Sequence, residues 1–179
     1  MISDLRVDEV KYLRTNHDIE DAKKLINDNL SWIEYHEFLP NNEVIEKIKQ
    51  SDVALLPTWM DTYGYSIIEC QACGTPVIST SLRALTETNY DKVGWLINVP
   101  VNKLNNPIHR TKKEKDLFYY VLSKGLYETI EYVLNHKDEV QIKSENCLKR
   151  IEEYHKPEAY VKNLNLIYKN QISKLIGHD

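Results

Sequence analysis

Three short apolar runs punctuate the middle of the chain: Val53-Ala54-Leu55-Leu56-Pro57, Pro76-Val77-Ile78-Ser79-Thr80 and Gly94 to Val99. Between them lie segments whose apolar residues recur at helical spacing, and strand-sized runs alternating with helices predict an α/β chain built on a parallel sheet. The first run carries no polar side chain, as expected of a strand covered on both faces. Glycine marks the turns. Of five glycines, three (Gly64, Gly74 and Gly94) fall within this stretch. Gly74 is expected just past the end of a helix running from about Tyr63 to Cys73. A short helix around Ala84 to Thr88 completes the next crossover.

On the N-terminal side, residues 19–29 read as an amphipathic helix with Ala22, Leu25 and Ile26 on one side. Trp32 to Phe38 reads as a strand ended by Leu39-Pro40, and Asn41 or Asn42 suits the cap of a helix carrying Val44, Ile45 and Ile48. Residues 113–175 read as helical. Leu117, Tyr120, Val121, Ile130, Val133 and Leu134 form one stripe, and Val140, Leu148 and Ile151 begin another. The break at His155-Lys156-Pro157 starts a last helix with Tyr160, Leu164, Ile167 and Tyr168, since a residue before proline avoids the helical conformation. The stripes are expected to be core. The division implied is an α/β domain over 1–110, incomplete at its N-terminus, followed by helices over 111–179 that pack on it.

Charge and motif content narrow the function. With 23 Lys+Arg against 27 Asp+Glu, a net charge of −4 and no basic stretch, the chain lacks the clustered cations that nucleic acid or an anionic membrane surface demands. The glycines lie too far apart for a dinucleotide fingerprint, a P-loop or a kinase glycine loop. Asp4, Arg6, Asp8, Glu9, Lys11 and Arg14 leave no apolar signal region, and no run approaches the roughly 20 apolar residues of a membrane span. Cys70 and Cys73 form a C-x-x-C pair that reads either as a redox or half-zinc motif or as two small apolar side chains on a helix. No second pair completes a metal site, and a reduced, cytoplasmic setting is expected. The six histidines show no ligand spacing, and no Asp-x-Asp occurs, so neither a metal nor another cofactor is expected. The twelve tyrosines read as core and rim, and Lys112 to Asp116 as a mixed-charge helix start.

One constellation carries chemistry. Asp61 lies in the loop leaving the 53–57 strand, at the sheet edge where open α/β folds bind ligands, and Glu69 lies eight residues on. Between them Thr62, Tyr63, Gly64 and Tyr65 lead into a helix start, where unpaired N–H groups suit a phosphate or diphosphate. An anion flanked by two hydroxyl-binding acids is the shape of a nucleotide-sugar. Two blander readings compete: Ser66-Ile67-Ile68-Glu69 also fits a capping box, and Asp61 also suits the helix dipole.

The run Val53-Ala-Leu-Leu-Pro-Thr58, the spaced Asp61-x-Tyr-Gly-x-x-x-x-Glu69, then Ala72-Cys-Gly-Thr-Pro-Val-Ile78, Glu87 and Gly94-Trp-Leu-Ile97 resemble the donor domain of GT-B glycosyltransferases. Family 4, a retaining family, is the nearest pattern, and the resemblance covers residues 31–100 in order and spacing. It implies a Rossmann-like parallel sheet with flanking helices, the C-terminal half of a GT-B fold, with a helical C-terminal tail. Carried over by position, it implies that Asp61 holds hydroxyls of the transferred sugar, as the catalytic residue of the site. Glu69 would bind the ribose, and the backbone of Tyr63, Gly64 and Tyr65, with Thr62, would meet sugar and diphosphate. Phe38 and Leu39 would lie by the base, and Glu87 would support the loop facing the donor.

The chain departs from that pattern in three places. Asp61 stands where the family has glutamate. Arg83-Ala84 replaces a glycine pair, and Arg83 reads either as a new phosphate contact or as a solvated arginine. No match is found to the family's opening strand and its basic pair. The expectation is therefore a fragment or subunit of a hexosyl- or related transferase, inactive alone. Its partner would be a missing acceptor-binding N-terminal domain, supplied by the same chain or a partner subunit and able to hold the enzyme peripherally at the inner membrane. The rival reading is a non-catalytic nucleotide-sugar-binding or partner-binding module, and a flavodoxin-like redox domain rests on Cys70 and Cys73 alone.

Overall fold

The computed structural model describes residues 16–176. The expected runs form three short parallel strands: β1 (Ala54–Leu56), β2 (Val77–Thr80) and β3 (Gly94–Ile97). Their order in the sheet is β1-β2-β3, with Leu55 opposite Ile78 and Ile78 opposite Trp95. Parallel neighbours need a crossover. Helix α3 (Tyr65–Ala72) supplies the first and the single turn α4 (Leu85–Thr88) the second. The C-terminal helices follow as α5 (Lys112–Asn135), α6 (Lys137–Tyr154) and α7 (Pro157–Ile176), with α1 (Asn16–Asp28) and α2 (Asn41–Lys49) ahead of the sheet.

The chain divides into two compact units, one ending at Glu46 and one beginning at Lys47. In the first, Ile26 of α1 and Ile33 make a small apolar cluster with Tyr35. Residues 29–32 form a turn rather than the start of a strand. Asn29 explains it, because its Nδ2 donates to the Leu25 carbonyl and its Oδ1 accepts from the Trp32 indole. The strand expected over Trp32–Phe38 is absent among the described residues. Ile33 and Tyr35 pack on Ile26, but Trp32 is 75% exposed and Phe38 82%, and within the run only His36 makes a β-bridge. Asn41 opens α2 instead of capping it, and the Pro40 carbonyl receives the amides of Glu43 and Val44.

In the second unit β2 is buried along its whole length. The core gathers Ile67 and Cys70 of α3, Val77 and Ile78 of β2, Leu82, Leu85, Trp95, Ile97, and Phe118 and Leu122 of α5. The expectation that the first strand is covered on both faces fails at Leu55, which is 51% exposed. It lies at the end of the described sheet, over an open groove of about 600 Å³ that it shares with Ile130, Leu134 and Val140. Asn89, fully buried, ties the sheet together: its Nδ2 donates to the Val77 and Trp95 carbonyls and to Ser79 Oγ.

The C-terminal helices form as expected, but their stripes sit differently. Leu117, Tyr120 and Leu134 are exposed, while Ile130 and Val133 of the expected stripe reach the core together with Phe118, Leu122 and Leu126. Leu148 is exposed on α6, whose buried positions are Lys143, Cys147 and Arg150. Tyr160, Ile167 and Tyr168 of α7 are exposed. No described tyrosine belongs to the buried core. The mixed-charge start of α5 is a capping box, Thr111 Oγ1 accepting from the Glu114 amide while Glu114 accepts from the Thr111 amide.

The cysteines read as structural. Cys70 is buried on α3 with its thiol pushed up to about 11 by burial, and Cys73 is the C-cap residue. Cys147 is pushed up to about 12 by burial and donates its thiol to the Val93 carbonyl. Reactive thiols need the opposite shift. No cluster of described residues could hold a metal ion, and no described helix is long and apolar enough to cross a membrane.

His155 gives the fold a pH dependence. It lies beside the Arg150 guanidinium, Nε2 to Nη1 at 3.1 Å, and burial followed by that positive charge lowers its pKa below the ordinary 6.5. The folded chain therefore binds this proton more weakly than the unfolded chain, and the linked stability is intact above pH 6.5 and declines as pH falls below it. We expect the thermal midpoint to drop between about pH 7.5 and about pH 5.5 by less in His155→Gln, whose amide oxygen still accepts from Arg150. Parallel curves for parent and variant would remove the effect from His155.

Candidate functional site

The loop between β1 and α3 is shaped by its own short polar side chains. Thr58 Oγ1 donates to the Met60 carbonyl, and the Thr58 carbonyl accepts from Thr80 Oγ1 at 2.9 Å. This second bond joins the carboxyl ends of β1 and β2, where ligands bind in folds of this class. Trp59, His109 and Phe118 form a three-ring cluster, with Trp59 stacked on His109 at 6.1 Å and tilted against Phe118 at 4.5 Å, and His109 and Phe118 6.1 Å apart between centroids. Both ring nitrogens of His109 are buried without a hydrogen-bond partner among the described residues.

Asp61 closes the loop on itself. Its Oδ1 accepts from the amide of Tyr63 at 3.0 Å and from that of Gly64 at 2.8 Å. Two of the amides expected to face a ligand are thus satisfied within the chain. Gly64 follows at φ +78°, a left-handed conformation, and a Cβ there would stand 2.6 Å from Leu85 Cδ2. Only glycine meets both demands without strain.

Helix α3 therefore starts from a glycine with no side-chain cap, and Ser66 lies inside the helix. The capping box read over Ser66–Glu69 does not form. The amides of Tyr65 and Ser66, first and second in α3, have no intrahelical acceptor and no other partner among the described residues. Glu69 is exposed and makes no hydrogen bond or ion pair there. It shares a helix face with Tyr65 and Ser66, the residues four and three positions before it. Thr62, Tyr63 and Tyr65 are exposed, the two tyrosine rings 5.3 Å apart.

The structure therefore assembles Asp61, Tyr63 and Gly64 in one self-bonded loop and places Tyr65 and Glu69 on one side of the helix that follows. Phe38, exposed, and Leu39, half-buried, belong to the first unit. Glu87 is exposed in α4. Arg83, read from the sequence as a phosphate contact or a solvated arginine, is half-buried. Its φ of +45° is the left-handed conformation that glycine adopts freely, held by its amide donating to the Asn105 carbonyl and its Nε to Asn106 Oδ1. The sequence-expected residues of the second unit thus lie around one helix start without a side-chain cap, with Asp61 in the adjoining loop and Glu69 one turn into the helix.

The family model described as "Glycosyl transferases group 1" matches residues 13–121, more than half of the chain. The chain belongs to the glycosyl transferases group 1 family. Two relatives, each named D-inositol 3-phosphate glycosyltransferase, align with a shorter stretch. The protein of Arthrobacter sp. (strain FB24) is 33% identical over 51 residues, 28% of this chain and 12% of the relative. That of Paenarthrobacter aurescens (strain TC1) is 32% identical over 57 residues, 31% of this chain and 14% of the relative. In structure, the chain is similar to sucrose-phosphate synthase from Thermosynechococcus elongatus, with a TM-score of 0.62 and 18% identity over 97% of this chain and 38% of that one. The fold is thus a GT-B-type parallel sheet with flanking helices and a helical tail, and the chain corresponds to well under half of these larger proteins.

Proposed function

We propose that this chain is the donor-binding part of a retaining glycosyltransferase, taking a nucleotide-sugar at the start of α3. The observation that carries the reading is the helix start without a side-chain cap, its Tyr65 and Ser66 amides left without an acceptor among the described residues and the exposed Glu69 on the same helix face. In this reading the diphosphate rests on those amides and the helix dipole. Glu69 accepts from ribose hydroxyls. Asp61, with Oδ1 holding the loop, offers its other oxygen to hydroxyls of the sugar. The bond between sugar and diphosphate breaks, the departing charge is stabilised by preoriented N–H groups, and the acceptor hydroxyl bonds to the same face of the sugar as its proton passes to the leaving phosphate oxygen. The division expected from sequence, an α/β donor part to residue 110 and packing helices beyond it, belongs to this proposal.

An acceptor-binding half, from the same chain or a partner subunit, completes the proposed enzyme. The exposed stripe of Tyr160, Val161, Ile167, Tyr168 and Ile172 along α7 supports it, because apolar rows of this size on a helix are ordinarily covered.

Calorimetric titration with UDP-glucose, GDP-mannose and ADP-glucose tests the reading. One of them is expected to bind, and Glu69→Ala to weaken that binding by about 1–3 kcal/mol through loss of charge-assisted hydrogen bonds. Equal affinity in parent and variant would remove Glu69 from the site and the reading with it.

A further inference from the structure

Behind the candidate site lies a cation that nothing in the proposed chemistry uses. Arg150 of α6 is 8% exposed, yet no carboxylate faces it among the described residues. Its Nη1 donates to Gln71 Oε1 at 3.0 Å and lies 3.1 Å from His155 Nε2, and its Nη2 donates to the Glu87 carbonyl at 3.3 Å. Burying an arginine without a counter-ion is costly, and such a group is held only by well-placed acceptors.

The acceptors lead to the site. Gln71, fully buried near the end of α3, donates its Nε2 to the Thr88 carbonyl at 2.8 Å. Thr88 Oγ1 lies 3.4 Å from the Tyr63 carbonyl, in the loop that Asp61 closes, and 3.3 Å from that of Leu85. Leu85 in turn is the residue against which Gly64 is packed. One guanidinium thus ties α3, which carries Glu69, to the α4 turn, which carries Glu87 and buttresses the Asp61 loop. The two carbonyls it gathers with Gln71, those of Glu87 and Thr88, are last-turn carbonyls of α4 that the helix leaves unpaired.

We propose that Arg150 is a positioning residue: through Gln71 and the Glu87 carbonyl it sets the register between α3 and the α4 turn, and so aligns the two sides of the donor site. The inference rests on the donor-site reading for its functional consequence but not for its structural one. Two measurements on the full chain separate them. Hydrogen exchange on Arg150→Met and Gln71→Leu reads the positioning without a ligand. Both variants are expected to lose protection in residues 85–89 and in α3 while β2, β3 and α5 keep theirs, and the double variant to lose no more than either single one. Protection unchanged at 85–89, or lost evenly across the sheet, overturns the proposal. UDP, GDP and ADP titrations then read the consequence. Arg150→Met is expected to weaken whichever nucleotide binds by roughly tenfold, and by less in a Glu69→Ala background, where the aligned carboxylate is gone. An undiminished effect in that background would show that Arg150 does not act through Glu69, and would overturn that part of the proposal. If no nucleotide binds the parent chain, the donor reading fails, and the exchange result alone decides the role of Arg150.

Discussion

Gly94→Ala is expected to lower the thermal midpoint by roughly 10 °C, from about 3 kcal/mol of overpacking in a domain of this size. Gly94 opens β3 directly opposite Val77 of β2. A methyl group there would fall on the Val77 carbonyl oxygen and on Asn89 Oδ1, with Asn89 Cγ at 2.8 Å. Neither neighbour can yield. The carbonyl belongs to the central strand, and Asn89 is pinned by three hydrogen bonds that cross from β2 to β3. The strands must therefore part, or the asparagine must turn and leave buried groups unpaired. Thermal unfolding followed by circular dichroism measures the loss. A midpoint within about two degrees of the parent would mean that β3 tolerates a side chain where none fits.

Phe118→Ala is expected to cost about 3–5 kcal/mol, as for other large aromatic truncations in a packed core. Phe118 has no exposed surface and lies with its ring 4.5 Å from that of Trp59. The damage should be directional. Trp59 is two residues from Asp61 in the loop between β1 and α3, so removing its ring partner loosens the segment that shapes the candidate site. Denaturant unfolding gives the global loss, and hydrogen exchange at residues 58–64 gives the local one. Phe118→Leu, which keeps most of the volume, should retain more than half of the stability lost by the alanine variant. Equal losses in the two would point to the aromatic pairing itself as the main stabilising interaction.

The parts of the fold set by local chemistry were legible in the sequence, and the parts set by distant neighbours were not. The β2 and β3 runs and Gly74, at φ +77° past the end of α3, declare themselves through apolar runs and turn residues. Trp32–Phe38 has the apolar content of a strand, but a strand exists only if another edge pairs with it, and no residue within the run reports that edge. In α5 the error was one of rotation. Leu117, Val121 and Phe118 lie close together around the helix, and only the position of the sheet decides that Phe118 points inward. Asp61 and Glu69 were singled out because their spacing is a pattern. Arg150 was not, since an arginine in a charged helical stretch reads as solvated until α6 is seen packed along α3.

The shorter acid at position 61 now has a physical account. Aspartate can fold its oxygen back onto amides two and three residues downstream, a closure for which the longer glutamate has one carbon too many. What the chain gives up in reach it recovers as a contour settled in advance: two bonds within the chain hold the loop in one shape, and the entropy of ordering it is spent during folding.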